Sequence, residues 1–247
     1  MRLISSALTD VGLHRDKNDD SFLDELGLYA VADGMGGHAG GEVASRMAVD
    51  TLRQGRTWAM IFAPDDPAGL KKIFARAHEA IMRESRRVVG LWGMGTTMTA
   101  LRVDGEGRAH VGHAGDTACV LVRNGRPTAL TRPHTVAGMR PRGAEEVDSR
   151  LAHVLLNCLG GGPDMSPTTE TCEIQLLPND IVVLASDGLT DYASAERIAE
   201  IVEHSRDDAW REPGETTAQV AARNLVQHAL GSGGHDNVTV VVVEVCR

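Results

Sequence analysis

Residues Val238–Val245 read V-T-V-V-V-V-E-V, and this run restricts the fold more than any other stretch of the sequence. Valine is stiff about its first side-chain torsion and packs well on a pleated surface, so the run favours a strand. A strand with one wet face alternates apolar with polar residues; this one does not, so both of its faces are covered. The same reasoning applies to Gly27–Ala32 (GLYAVA) and Ile181–Ser186 (IVVLAS). A chain with several such strands must be layered, with sheets buried on both sides. Aromatic residues make up only 3% of the 247, so Val, Leu, Ile, Ala and Met must fill those layers.

Elsewhere the period changes. Val43, Ala44, Met47, Ala48 and Leu52 recur at helical spacing over Gly40–Leu52, and Leu70, Ile73, Phe74, Ala77 and Ile81 do so within a helix expected over Pro67–Val89. Strands are expected at Thr97–Val103, Ala109–His113, Ala118–Arg123 and Pro127–Leu130, with Asn124-Gly125 as a type I′ hairpin turn. A turn-rich stretch over 132–167 precedes a strand at Glu170–Leu176. Helices are expected at Ala195–Glu203, capped by Ser194, and at Thr217–Leu230. Runs of strands with helices in pairs predict an α+β fold, sheet packed on sheet with helices outside. The length suits a single domain over residues 1–247.

Charge and cysteine spacing exclude several classes. A formal net charge of −9 repels nucleic acid and anionic membranes. No apolar stretch is long enough to span a bilayer. Cys119, Cys158, Cys172 and Cys246 stand far apart with no C-x-x-C, which argues against a zinc site or redox pair and fits reduced thiols. A soluble, cytoplasmic, monomeric protein is expected.

The chemistry lies where the apolar strands end. Leu28–Ala32 runs into Asp33-Gly34, Ala109–Gly115 into Asp116, and Ile181–Ser186 into Asp187-Gly188, while Asp236-Asn237 precedes the valine strand. One Asp-Gly is an ordinary turn signal. Four acids placed at strand mouths beside glycines suggest a shared cation, because convergent carboxylates repel one another without one. Carboxylates, carbonyls and water are the ligands Mg²⁺ and Mn²⁺ prefer. Arg15, among the acids of residues 10–21, offers either a surface ion pair or the planar fork that grips a phosphate.

Several motifs stand in order: D-x-G-x-x-R at Asp10–Arg15, N-D-D-S at Asn18–Ser21, V-A-D-G-M-G-G-H at Val31–His38 and G-T-T-M-T-A-L at Gly95–Leu101. H-A-G-D-T at His113–Thr117, L-A-S-D-G-L-T-D at Leu184–Asp191 and G-H-D-N-V-T at Gly234–Thr239 follow. This ordered set resembles the metal-dependent protein phosphatases, the PPM or type 2C serine/threonine phosphatases, in their compact bacterial form. The resemblance implies an α-β-β-α sandwich of two mainly antiparallel sheets flanked by pairs of helices. It implies hydrolysis of phosphoserine and phosphothreonine by in-line attack of a water activated by two Mn²⁺ or Mg²⁺ ions, with room for a third. In that pattern Asp33 bridges the metals, the Gly34 carbonyl ligates one of them, and Asp187 and Asp236 complete the first site. Asp20 and Asp19 act through water, Asp116 with Asp187 fits the third site, and Asn237 supports Asp236. Arg15 binds the substrate phosphate, and His38 is a candidate acid for the leaving alkoxide. Partners so implied are a phosphorylated protein and a bacterial Ser/Thr kinase or its targets.

Three departures accompany the resemblance, one of which, Pro133 in place of the usual acid in Thr131-Arg-Pro-His134, carries no functional reading. Asp19 stands where relatives usually carry Glu, one methylene longer, and the flap over about 134–160 is shorter than in bacterial relatives. Loops beside a site select substrates, so the flap bears on preference and not on chemistry. His113, His134 and His235 are read as supporting or packing residues. Two other functions remain open on this scaffold: a sensor or pseudophosphatase that only binds, and a phosphatase of small metabolites.

Overall fold

In the computed structural model, which describes residues 1–36, 40–55, 69–141, 147–162, 165–207 and 211–246, the chain opens with strands β1 (Arg2–Asp10), β2 (Ser21–Glu25), β3 (Leu28–Ala32) and the short β4 (Gly34–Met35). Helices α1 (Gly40–Gly55) and α2 (Leu70–Arg87) follow, then β5 (Gly95–Thr96), β6 (Met98–Val103), β7 (Arg108–Ala114), β8 (Ala118–Arg123) and β9 (Arg126–Ala129). The turn-rich stretch holds one helical turn, α3 (Ser149–Ala152), and β10 (Leu159–Gly160). Last come β11 (Glu170–Gln175), β12 (Ile181–Ala185), the short α4 (Asp187–Thr190), α5 (Ala195–His204), α6 (Thr217–Gly231) and β13 (Val238–Cys246).

Two five-stranded sheets form, in the orders β1-β13-β12-β8-β9 and β11-β7-β6-β3-β2, and a small third sheet runs β10-β5-β4. Every pairing between these strands is antiparallel. Side chains alternate between faces along a strand, so each apolar run feeds two cores. In β13, Val238, Val240 and Val242 pack under α5 and α6, while Val241, Val243 and Val245 face the other sheet. In β3, Leu28, Ala30 and Ala32 pack under α1 and α2, while Tyr29 and Val31 fill the space between sheets. The layers are helix pair, sheet, sheet, helix pair. Each fully buried Val, Leu or Ile contributes about 1.5–3 kcal/mol to holding them together.

Local signals behave as their chemistry requires. Asn124 and Gly125 both take positive φ, 53° and 72°, as a type I′ turn demands. The Ser194 hydroxyl accepts the Arg197 N–H, and Thr216 with Gln219 closes a capping box on α6. Several boundaries differ by a few residues: α1 runs on to Gly55, β7 covers Arg108–Ala114, and α2 starts at Leu70 and stops at Arg87, because Val88 is extended and Val89–Leu91 make a separate 3₁₀ turn. Pro67, the expected start of that helix, lies outside the described residues. The small third sheet was not anticipated, since two-residue strands carry no periodicity.

Register brings the acidic segments to one rim. Asp10 pairs with Val238 and Ala185 with Val240, which sets the end of β1, the end of β12 and the start of β13 side by side. In the other sheet Ser21 pairs with Ala32 and Met98 with Ala114, which brings the start of β2 and the ends of β3 and β7 to the matching rim.

Candidate metal and phosphate site

Arg15, Asp19, Asp33 and Gly34 line a cleft at that rim together with Asp116, Asp187, Asp236 and Asn237. The cavity measures ≈ 390 Å³, room for a phosphoryl group with ions and water. Asp20 lies just behind it, where its carboxylate Oδ2 accepts a hydrogen bond from the buried Ser186 hydroxyl at 2.8 Å. Ser186 Oγ in turn accepts the Thr239 N–H at 2.9 Å, so one hydroxyl ties β12 and β13 to the loop that carries Asp20.

Backbone packing fixes Asp33. Its carbonyl accepts the Thr97 N–H and the Thr96 hydroxyl, both at 2.8 Å. The next residue has to be glycine. A Cβ on Gly34 would stand 2.1 Å from the Gly41 carbonyl oxygen and 2.6 Å from that of Asp19. That close approach also seats the first turn of α1 against Asp19, with the positive end of the helix beside a carboxylate.

Asn237 ties the far side. Its Oδ1 accepts the Asp19 N–H, and its Nδ2 donates to the carbonyls of Val11 and Lys17, each at 2.8 Å. Its own N–H donates to Asp236 Oδ1 at 2.8 Å. Arg15 Nη2 meets the other oxygen of Asp236 at 2.7 Å.

The electrostatics are those of crowded acids. Burial pushes Asp20 up to about 7, with the charges of Asp187 and Asp236 adding to it and the hydrogen bonds from Thr239 and Ser186 opposing. Burial, then Asp187, raises Asp116 to about 7. Asp33 is raised well above its ordinary range by burial and by Asp20, Asp187 and Asp116, and its carboxyl group shares a hydrogen bond with Asp187, which burial also raises.

Asp19, Asp116 and Asp187 line the cleft and Asp20 lies behind it, yet Oδ1 of each of the four is sealed from solvent and has no hydrogen-bond partner among the described residues. A buried carboxylate oxygen without a donor is costly, and four in one place are a cation's donor set. Among the described residues no group of three or more acids, histidines or cysteines stands arranged as a metal-holding cluster. The orphaned oxygens carry more weight here, because Mg²⁺-type ions keep several waters and do not require all-protein cages. The all-oxygen chemistry suits Mg²⁺ or Mn²⁺.

His113 and His134 pack against each other at 4.5 Å between ring centroids, beneath the Asp116 loop. Burial, then His134, lowers His113 to about 4, and its ring bonds Thr99 Oγ1 and the Arg132 carbonyl. His38 lies outside the described residues. Sequence reasoning passed over Ser186, although a serine ending a buried strand before Asp-Gly was a visible signal. It also passed over His153 and Leu155, which line the cleft from the flap and carry no local signature. His153 Nδ1 lies 3.8 Å from Asp191 Oδ1.

The family model described as Protein phosphatase 2C matches residues 14–230. The serine/threonine protein phosphatase PstP of Mycobacterium tuberculosis is 35% identical over 97% of this chain, which spans 44% of that protein, less than half its length. The serine/threonine phosphatase stp of Listeria monocytogenes is 29% identical over 96% of this chain and 93% of its own. Among solved structures, the catalytic domain of PstP in complex with 2 manganese ions superposes with a TM-score of 0.80 at 33% identity, covering 99% of each chain. PppA of Pseudomonas aeruginosa, a regulatory component of T6SS, gives 0.81 at 28% identity, covering 99% of this chain and 98% of its own.

Proposed function

The chain belongs to the protein phosphatase 2C family, and we propose that it is a metal-dependent serine/threonine protein phosphatase whose catalytic domain is residues 1–247. The observation that carries this reading is the group of sealed, unpartnered carboxylate oxygens gathered at a cleft whose wall also holds an arginine.

Two Mn²⁺ or Mg²⁺ ions would be held with Asp33 shared between them and with the Gly34 carbonyl, Asp187 and Asp236 serving one of them. Asp20 would serve that first site and Asp19 the second, both through water, and Asp116 with Asp187 would hold a third, weaker-bound ion. Bound there, such ions neutralise the crowded carboxylates and supply a water that ionises near neutral pH.

The chain's own groups do the rest. Arg15 presents N–H donors to the phosphoryl oxygens, next to the acid it already contacts. Asn237 and Ser186 hold Asp19, Asp236 and Asp20 in place, so little reorganisation is needed as charge develops. His153 and Leu155 line the cleft on the flap side. His38 keeps its assignment as candidate acid on the resemblance alone.

The partner class is a phosphorylated protein, with a bacterial Ser/Thr kinase or its targets as candidates. Four free thiols suit a reducing, cytoplasmic compartment. Among the described residues no helix is long and apolar enough to cross a membrane.

The test is manganese-dependent hydrolysis of an aryl phosphate, which Asp187→Ala or Asp236→Ala abolishes. Near-wild-type turnover by either variant at saturating Mn²⁺ overturns the site. Faster hydrolysis of phosphosugars than of phosphopeptides replaces the protein substrate with a metabolite.

A further inference from the structure

Beside the cleft, three rings from three separate segments stand in line. The Tyr192 hydroxyl and His235 Nδ1 are 2.6 Å apart, a short hydrogen bond. The His235 ring stacks on His14 with centroids 4.6 Å apart and planes 14° from parallel. The positions matter. His14 immediately precedes Arg15, His235 immediately precedes Asp236, and Tyr192 follows the helical turn that begins at Asp187. Arg15 and Asp236 form the ion pair at the cleft wall.

The backbone is shaped to bring these rings together. The Leu13 N–H donates to the Gly234 carbonyl at 2.7 Å, so the two loops dock side by side. Gly233 takes φ 142°, and a Cβ there would stand 2.7 Å from His235 Nδ1 and 3.3 Å from the Tyr192 hydroxyl. Any side chain at Gly233 would displace the imidazole from the tyrosine. At the other end of the line, the His228 ring reaches the Tyr192 carbonyl at 3.4 Å, which ties the tyrosine to α6.

Such a line is what Arg15 needs. Its loop joins β1 to β2, its side chain is 53% exposed, and a free arginine has about 2 kcal/mol of rotamer entropy to lose before it grips anything. Loop positions that must be accurate are held by neighbours whose own rotamers are locked. We propose that Tyr192, His235 and His14 are positioning residues that hold Arg15 over the cleft in the orientation that receives the substrate phosphate. The anchor is the tyrosine hydroxyl on the rigid segment after β12. The imidazole of His235 relays that anchor to His14 by stacking, and the peptide link carries it to Arg15. This rests on the reading of Arg15 as the phosphate-gripping residue, and it adds groups that touch neither metal nor substrate.

Tyr192→Phe removes the hydroxyl and leaves the ring. Two measurements follow on the full chain with Mn²⁺ bound: steady-state hydrolysis of a phosphothreonine peptide, and the ¹⁵N line shape of the Arg15 Nε–H. Loss of one net hydrogen bond predicts a KM raised by about 3- to 10-fold with kcat held within about twofold. Arg15 Nε–H should shift toward averaged, mobile behaviour, and His14→Ala should act in the same direction. In an Arg15→Ala background Tyr192→Phe should change KM no further, since residues acting through one another are non-additive. An unaltered Arg15 signal in Tyr192→Phe, or an equal KM increase in the Arg15→Ala background, overturns the proposal. A loosened Arg15 with unchanged KM in both Tyr192→Phe and Arg15→Ala leaves the ring line standing as a restraint and removes Arg15 from the phosphate site.

Discussion

Asn237 Oδ1 accepts the backbone N–H of Asp19 at 2.8 Å, joining segments 218 residues apart. The same amide satisfies the carbonyls of Val11 and Lys17. One buried side chain therefore sets where the loop carrying Arg15 and Asp19 sits relative to Asp236.

Asn237→Ala strands three backbone groups and should destabilise the protein by roughly 2–4 kcal/mol in urea unfolding. It should also weaken Mn²⁺ binding by about 10- to 100-fold, the usual cost of losing a group that orients a ligand. Asn237→Asp keeps the shape but turns an acceptor toward two carbonyls, so it should be no better than alanine. Wild-type stability and Mn²⁺ affinity in Asn237→Ala would show that the loop is held by something else.

The pH dependence of the metal-free protein follows from the raised acids. Asp20 and Asp116 move from an ordinary 3.8 to about 7 on folding, and Asp33 and Asp187 are raised as well. Between those values the folded state keeps protons that the unfolded chain has released, so stability falls as pH rises from about 4 to about 7. Divalent ions displace those protons, and the stabilisation they give should grow across the same window. Thermal unfolding in chelator and in Mn²⁺, across about pH 5 to 8, checks both signs. A Tm in chelator that stays flat or rises with pH contradicts the assignment.

Gly34→Ala puts a methyl group 2.1 Å from the Gly41 carbonyl oxygen. The start of α1 must then move away from Asp19, at a cost of about 1–3 kcal/mol or more. The expected readout is a lowered urea midpoint together with lost Mn²⁺ affinity. An unchanged midpoint would mean that this contact is soft.

His134 joins the flap to the Asp116 loop. Its Nδ1 faces two N–H donors, from Gly115 at 3.1 Å and Asn157 at 2.8 Å, which places the ring proton on Nε2, 3.3 Å from Glu170 Oε1. Its backbone completes the link, donating to the Gly115 carbonyl and accepting from the Leu156 N–H, both at 2.7 Å. His134→Ala should cost about 1–3 kcal/mol and speed tryptic cleavage after Arg150. Cleavage at the wild-type rate would show that the flap does not depend on this ring.

Val238–Val245 already required a strand covered on both faces, because a valine run without polar alternation has no wet side, and the register shows those faces divided between two cores. Asp33, Asp116, Asp187 and Asp236 were visible as acids at strand mouths, since antiparallel strands of similar length must end at common rims. Roles that depend on contact between distant segments were not visible. The Ser186 hydroxyl finds Asp20 across 166 residues, and Asn237 finds Asp19 across 218. Periodicity and turn chemistry act over a few residues and are written locally. Which carboxylate oxygen is left unpartnered, which amide holds which loop, and which ring stacks beside Arg15 are fixed only when register and sheet packing bring those segments within hydrogen-bonding distance.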